Sequence, residues 1–284
     1  MANTREILGE QETLDLLITG NITSFEDDTV RYVGSYAFYG CTSLTTAYFP
    51  NANYPGSHSF EQCTNLTTIS FPQATQISNN AFQGCTSLTA AIFPKVTSIG
   101  SGAFRSCSSL TTISFPEATG MNESSFRDCT NLINVSFPKV TAISNYTFNG
   151  CSNLESISFP EVTSIGNQVF VSCYKLSTVI CPKVNSINSA AFQSCRSLET
   201  VSFPELTAIN GNNVFFQCYA LKAFIIGNEE GVVTLASPSF NNTPIASGTG
   251  YIYVPTALVD SYKAANNWST YANQIKSIEE LPQE

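Results

Sequence analysis

Apolar and polar residues recur along this chain with a period of 22, so one copy of the pattern describes most of it. Phenylalanine stands at Phe38, Phe60, Phe82, Phe104, Phe126, Phe148, Phe170, Phe192 and Phe215. A cysteine follows each by three positions, from Cys41 to Cys195 in steps of 22 and then at Cys218 after 23. A leucine follows each cysteine by three, from Leu44 to Leu221. Nine residues past the cysteine stands a proline, from Pro50 through Pro204, with Gly227 in its place in the last copy. Written out, the unit is A-F-x-x-C-x-x-L-x-x-I-x-F-P-x-V-T-x-I-x-x-x. Ile113 and Phe115 alternate in one copy, which predicts a short strand buried on one face. Pro116 has no N–H to donate and ends it. Val140 and Ile143, like Val162 and Ile165, turn inward on the return path. The residue after them (Gly100, Ser144, Gly166 or Asn188) suits a tight turn. The A-F-x-x-C segment fits one helical turn, with Phe and Cys sharing a face. A single copy cannot bury its own apolar edge, whereas stacked copies can. The pattern therefore predicts a repeat solenoid of about nine coils, with a parallel sheet of short strands roughly 4.8 Å apart.

The ends of such a stack need covers, because an open sheet edge invites association. Residues 1–37 carry a degenerate repeat in which Val30 and Val33 keep the return-path positions, and Leu14 to Ile22 is the expected capping strand. Residues 38–221 hold the regular repeats. In residues 222–284 the pattern dissolves, although Ala223 to Gly227 still reads as a repeat strand and Tyr251 to Pro255 as a final one. Beyond Pro255 the run TALVDSYKAANNW predicts a helix of about three turns with Leu258, Tyr262 and Ala265 on one face. The whole of 222–284 reads as a C-terminal cap, mixed α/β in character.

The motif AF-x-GC-x-x-L-x-x-I-x-F-P-x-V-T-x-I is nearly complete from Ala81 to Ile99 and again from Thr147 to Ile165, where Thr147 replaces the alanine. It resembles the BspA-type leucine-rich repeat of bacterial surface proteins. The resemblance is strong over residues 30–226. The tail with Tyr253-Val254-Pro255, Tyr262-Lys263 and Trp268 also looks like the segment that ends such proteins. It implies a leucine-rich-repeat fold, a place outside the cell or on its surface, and a role in adhesion or recognition. Similar repeats on phage structural proteins imply the alternative: a phage-associated or intracellular spacer with no small-molecule ligand.

Composition narrows this further. Of 284 residues, 21 are acidic and 12 basic, a formal charge of −9, which argues against nucleic-acid or anionic-membrane partners. No stretch reaches the roughly 20 apolar residues of a membrane span. Leu14 to Ile18, broken by Asp15, is shorter than a signal-peptide core of roughly 7–15 residues. The ten cysteines comprise nine equivalent repeat positions and Cys181, which stands where other copies place Phe71, Phe115 or Phe159. No C-x-x-C pair occurs, so neither zinc nor any other metal is expected, and few or no disulfides. Buried thiols acting as small hydrophobes account for all ten. One charged position also repeats: Lys95, Glu117, Lys139, Glu161, Lys183 and Glu205 alternate strictly, which predicts a ladder with each inner charge between two opposite ones.

The outward strand position seven after each cysteine reads Tyr48, Ser70, Ile92, Ser114, Ser136, Ser158, Ile180, Ser202 and Ile225. With Thr46, Thr68, Thr112, Thr178 and Thr200 it predicts a flat, hydroxyl-rich face with few charges. Such regular surfaces carry binding in repeat proteins, although Ser and Thr also serve as plain exposed strand residues. A carbohydrate-binding face calls for more aromatic platforms than Tyr48 and Tyr54, so a protein ligand is preferred and carbohydrate is the other choice. Catalysis is not expected. The chain has a single histidine, His58, placed in a loop beside Ser57 and Ser59 without forming a triad, and no phosphate-cradling glycine loop or cofactor fingerprint. Glu26-Asp27-Asp28 and Glu229-Glu230 read as acidic surface turns. The expected function is non-enzymatic recognition through the sheet face.

Overall fold

The structure is a computed structural model that describes residues 22–282, together with the backbone of the strand Ile7–Leu8. The capping strand expected at Leu14 to Ile22 lies outside the described residues except for Ile22, which is not in a strand. The chain divides into two compact units, Met1–Lys139 and Val140–Glu284.

In the first unit a three-residue strand opens each coil: Ser24–Glu26, Thr46–Tyr48, Thr68–Ser70, Ala90–Ile92, Thr112–Ser114 and Asn134–Ser136. Equivalent strands pair in parallel, with Thr46 opposite Thr68 and Ile69 opposite Ala91. A second parallel ladder runs along the return path through Gln76–Ile77, Ser98–Ile99 and Gly120–Met121. Between the ladders the repeated Phe rings stack coil on coil. Phe38, Phe60 and Phe82 lie 4.9 and 5.4 Å apart, and a second row through Phe49 and Phe71 has its rings 4.7 Å apart. Rows that meet edge to face fill the interior with aromatic surface, which close-packs well in that geometry.

The A-F-x-x-C segment is not a helical turn. Its amides alternate between two destinations. Phe82 N–H donates to Ala103 O of the next coil (2.8 Å) and Gly84 N–H to Arg105 O (2.8 Å), while Gln83 and Cys85 close local turns onto Asn80 O and Phe82 O. That alternation needs two left-handed residues per coil, such as Gly102 (φ 62°) with Ser106 (φ 60°). A helix would have turned every amide inward along its own axis. Gly100 is needed for a different reason than turn geometry. Its backbone lies so close to the preceding coil that a Cβ would sit 2.6 Å from Ser78 C.

The second unit continues the same plan with strands Ser156–Ser158, Thr178–Ile180, Thr200–Phe203, Ala223–Ile226, Tyr251–Val254 and Ile275–Ser277. Among the described residues nine regular coils are thus accompanied by three degenerate ones, at Ser24–Glu26, Tyr251–Val254 and Ile275–Ser277, and the sequence pattern does not predict the last of these. Phe148, Phe170, Phe192, Phe215 and Phe240 stack at 5.2–5.7 Å, so Phe240 keeps the repeat's ring position although no cysteine follows it. The expected three-turn helix is shorter: a 3-10 turn at Thr256–Leu258, an α-helix over Val259–Ala264 and a further 3-10 segment at Ser269–Gln274. The chain must leave the helix at Ala265, which is extended, so that Trp268 can enter the interior.

The charge ladder resolves into separate pairs. Lys139 reaches back one coil to Glu117 (2.6 Å), and Lys183 likewise to Glu161 (2.7 Å), while Lys95 donates to Gln73 Oε1 (2.5 Å). A lysine stem leaning toward the preceding coil satisfies one neighbour and turns away from the other.

Candidate functional site

In the first unit the predicted face residues Tyr48, Ser70, Ile92, Ser114 and Ser136 all point to the solvent side of the longer strands. Ser70 is half-buried and the rest are exposed. In the second unit Ser158, Ile180 and Ser202 are exposed in the same sense, and Ile225 is half-buried. The face is not flat. A recess of about 600 Å³ joins Ile92, Ser114 and Ser136. A smaller one of about 330 Å³ joins Tyr48 and Ser70 with Ser24 and Glu26.

The larger recess has a residue-level cause. Ala90 and Ala91 occupy positions where the neighbouring coils carry Thr68-Ile69 and Thr112-Ile113. The short side chains leave space, and Ala91 is half-exposed where Ile69 and Ile113 are buried. The hydrogen-bonded ladder also lapses here, since Ala90–Ile92 and Thr112–Ser114 belong to different sheets. Ile92 stands over this recess at 50% exposure. The alanine pair, Asn134 and Val135 were not singled out from the repeat positions alone. The only signal was the double alanine between the Thr-Ile pairs of the two adjacent coils.

Hydroxyls divide into two groups. Thr45, Thr67 and Thr89, flanking the strands, donate to the carbonyls of Thr23, Thr45 and Thr67 one coil back (2.6–3.1 Å), so they belong to the scaffold. Thr112, Ser114 and Ser136 make no such bond among the described residues and are available to a ligand.

The cysteines are buried and serve the coil-to-coil contact. Cys63, Cys85, Cys107 and Cys129 donate their thiols to Phe38 O, Phe60 O, Phe82 O and Phe104 O (2.9–3.1 Å), and Cys173, Cys195 and Cys218 do the same in the second unit. Burial pushes the thiols of Cys129 and Cys181 up to about 12, far from a reactive thiolate. His58 adopts a left-handed backbone (φ 59°), stacks on Tyr36 and pairs through Nδ1 with Glu61 Oε2. Its bonding partner is a carboxylate and not a nucleophilic hydroxyl.

Stacked short parallel strands, a return ladder and a Phe-Leu-lined interior define a leucine-rich-repeat protein, a fold class of structural and binding modules. The sequence profile of the BspA type leucine rich repeat region matches residues 19–133 and 119–246 in six copies, and the chain belongs to that family. Among solved structures, a leucine-rich repeat protein from Bacteroides ovatus is similar at 26% identity and a TM-score of 0.69, covering 79% of this chain and 59% of its own length. The T. pallidum leucine-rich repeat protein matches at 31% identity and a TM-score of 0.51, over 55% of this chain and 79% of that one. A leucine rich cell surface protein from Faecalibacterium prausnitzii shares the fold at 22% identity and a TM-score of 0.56, with 91% and 88% covered. No curated protein matches the chain in sequence. Among the described residues no helix is long and apolar enough to cross a membrane.

Proposed function

We propose that the chain is a non-enzymatic recognition module at a bacterial cell surface, and that it binds a protein through the solvent face of the longer strands. The recess at Ala90–Ile92, Thr112–Ser114 and Asn134–Ser136 carries this reading. It places a half-exposed isoleucine beside unengaged hydroxyls, an apolar anchor within a polar rim of the kind protein interfaces use. The low charge of the face suits a partner recognised by shape and hydrogen bonds. The family's association with bacterial surfaces supports the location.

The test is a binding screen of the full chain against extracellular matrix proteins, with Ile92→Asp as the control. A bound protein whose affinity falls by about tenfold or more in Ile92→Asp supports the site, since losing an interface anchor removes about 1.4 kcal/mol or more. If both bind alike, the contact lies elsewhere. If neither binds any matrix protein, the spacer reading replaces this one.

A further inference from the structure

All five tyrosines of the first unit fall between Tyr32 and Tyr54, and four of them lie away from the face just described, beside the return-path ladder. Tyr32 and Tyr54 hold equivalent positions in successive coils, with ring centroids 5.2 Å apart and planes tilted by 51°. They wall a recess of about 420 Å³ whose other sides include Gly34, Ser35, Ser57 and Ser78. Next to it Tyr36 stacks on His58 (4.7 Å, 3°), and Tyr39 lies 5.7 Å from Tyr36. Tyr32, Tyr36 and Tyr39 are 37%, 43% and 51% exposed. The core does not require these rings, because the next two coils place Gln76 and Ser98 where Tyr32 and Tyr54 stand.

The backbone amide at this recess lacks the side-chain acceptor that three later coils supply. Asn79 Oδ1 accepts the Ser101 N–H (2.9 Å), and Asn145 Oδ1 accepts the Asn167 N–H (2.8 Å), so an asparagine closes the edge one coil ahead. Ser35 occupies the asparagine position here, and the Ser57 N–H has no acceptor among the described residues. The recess therefore presents two aromatic faces, three serine hydroxyls and a backbone donor, with no charged side chain in its lining.

We propose that this recess binds a neutral carbohydrate. The apolar C–H face of a pyranose fits against an amphipathic tyrosine ring, and its hydroxyls meet Ser35, Ser57, Ser78 and the Ser57 N–H. The uncharged lining selects against uronic or sialic acids, which would bring an unpaired carboxylate. The volume lies within the roughly 300–1,000 Å³ of small-ligand sites. This site is independent of the sheet-face reading above.

Titration calorimetry and saturation-transfer NMR of the full chain with neutral gluco-, xylo-, manno- and chito-oligosaccharides test it. At least one series should bind, with transfer strongest to ring C–H protons. The double variant Tyr32→Ser/Tyr54→Ser should bind about tenfold more weakly or worse, and Ile92→Asp should bind like the parent. Ser35→Asn supplies the acceptor that Asn79 and Asn145 provide elsewhere. It should keep the fold and weaken binding several-fold, so the proposal stays testable if the tyrosine variant fails to fold. Absence of binding by every neutral series, a preference for uronate polymers or proteins at this recess, or unchanged affinity in Ser35→Asn together with a folded tyrosine variant would overturn it.

Discussion

At the scale of single residues, the repeated cysteine is explained by the carbonyl it meets. Phe60 O accepts the Cys63 N–H within its own turn (3.1 Å) and the Cys85 thiol from the next coil (3.1 Å), so both of its lone pairs are used in a dry interior. A small apolar side chain with one weak donor fits that place. The same burial makes stability depend on alkaline pH. Protonated thiols are neutral in the folded and unfolded chain below the usual value of 9.0, so no proton is exchanged there. Above it the unfolded chain ionises while Cys129 and Cys181 hold their protons to about 12. The unfolded state then binds fewer protons, and stability falls across that window by about 1.4 kcal/mol per pH unit for each such thiol. Urea midpoints measured from neutral pH to beyond the thiol range should decline, and Cys129→Ala should decline less steeply than the parent. Parallel slopes would show that Cys129 ionises while folded.

At the scale of the element, each coil contains two left-handed positions, and most are filled by residues other than glycine: Ser106, Ser124, Asp128, Gln168 and Ser172 among them. For an L-residue that conformation costs roughly 1–2 kcal/mol, of which about 0.4–1 kcal/mol is returned by the smaller unfolded-state entropy relative to glycine. Ser106→Gly and Ser172→Gly should therefore each stabilise by about 0.5–1 kcal/mol. Chemical denaturation checks this, and an unchanged or lower stability would mean the serines are not strained. These positions also show where sequence reading stops. The period, the strand at Ile113–Phe115, the proline stop and the buried Cys181 follow from side-chain type, because burial selects side chains. The left-handed pair in A-F-x-x-C does not, because Tyr, His, Gln, Ser, Ala and Gly all occupy equivalent places there. The sheet-face positions were legible for the same reason as the core, by alternation. Their recess was not, since it depends on the volume missing at Ala90 and Ala91, a departure from the repeat within one coil.

At the scale of the whole molecule, a stack in which each coil touches its neighbours is only as durable as its last covered edge. In the second unit that edge is fastened by aromatic side chains reaching back over the degenerate coil. The Tyr262 hydroxyl accepts the Val233 N–H (3.0 Å), and Trp268 Nε1 donates to Val233 O (2.7 Å), so both polar groups of one residue are satisfied by the cap. The Tyr271 hydroxyl takes the Phe240 N–H (3.3 Å), and its ring meets Phe240 edge to face at 5.3 Å. Truncating Trp268 to alanine removes a fully buried ring and leaves Val233 O without its donor, which together should destabilise by about 3–5 kcal/mol. Because coupling in a solenoid passes from neighbour to neighbour, the loss should be local. Amide exchange should accelerate first in Ile275–Ser277, Tyr251–Val254 and Thr234–Leu235, while Ser156–Ser158 and Thr178–Ile180 keep their protection. Uniform acceleration across the second unit would instead mean that its coils unfold as one cooperative block, and the cap would then be part of a single core rather than a cover over its edge.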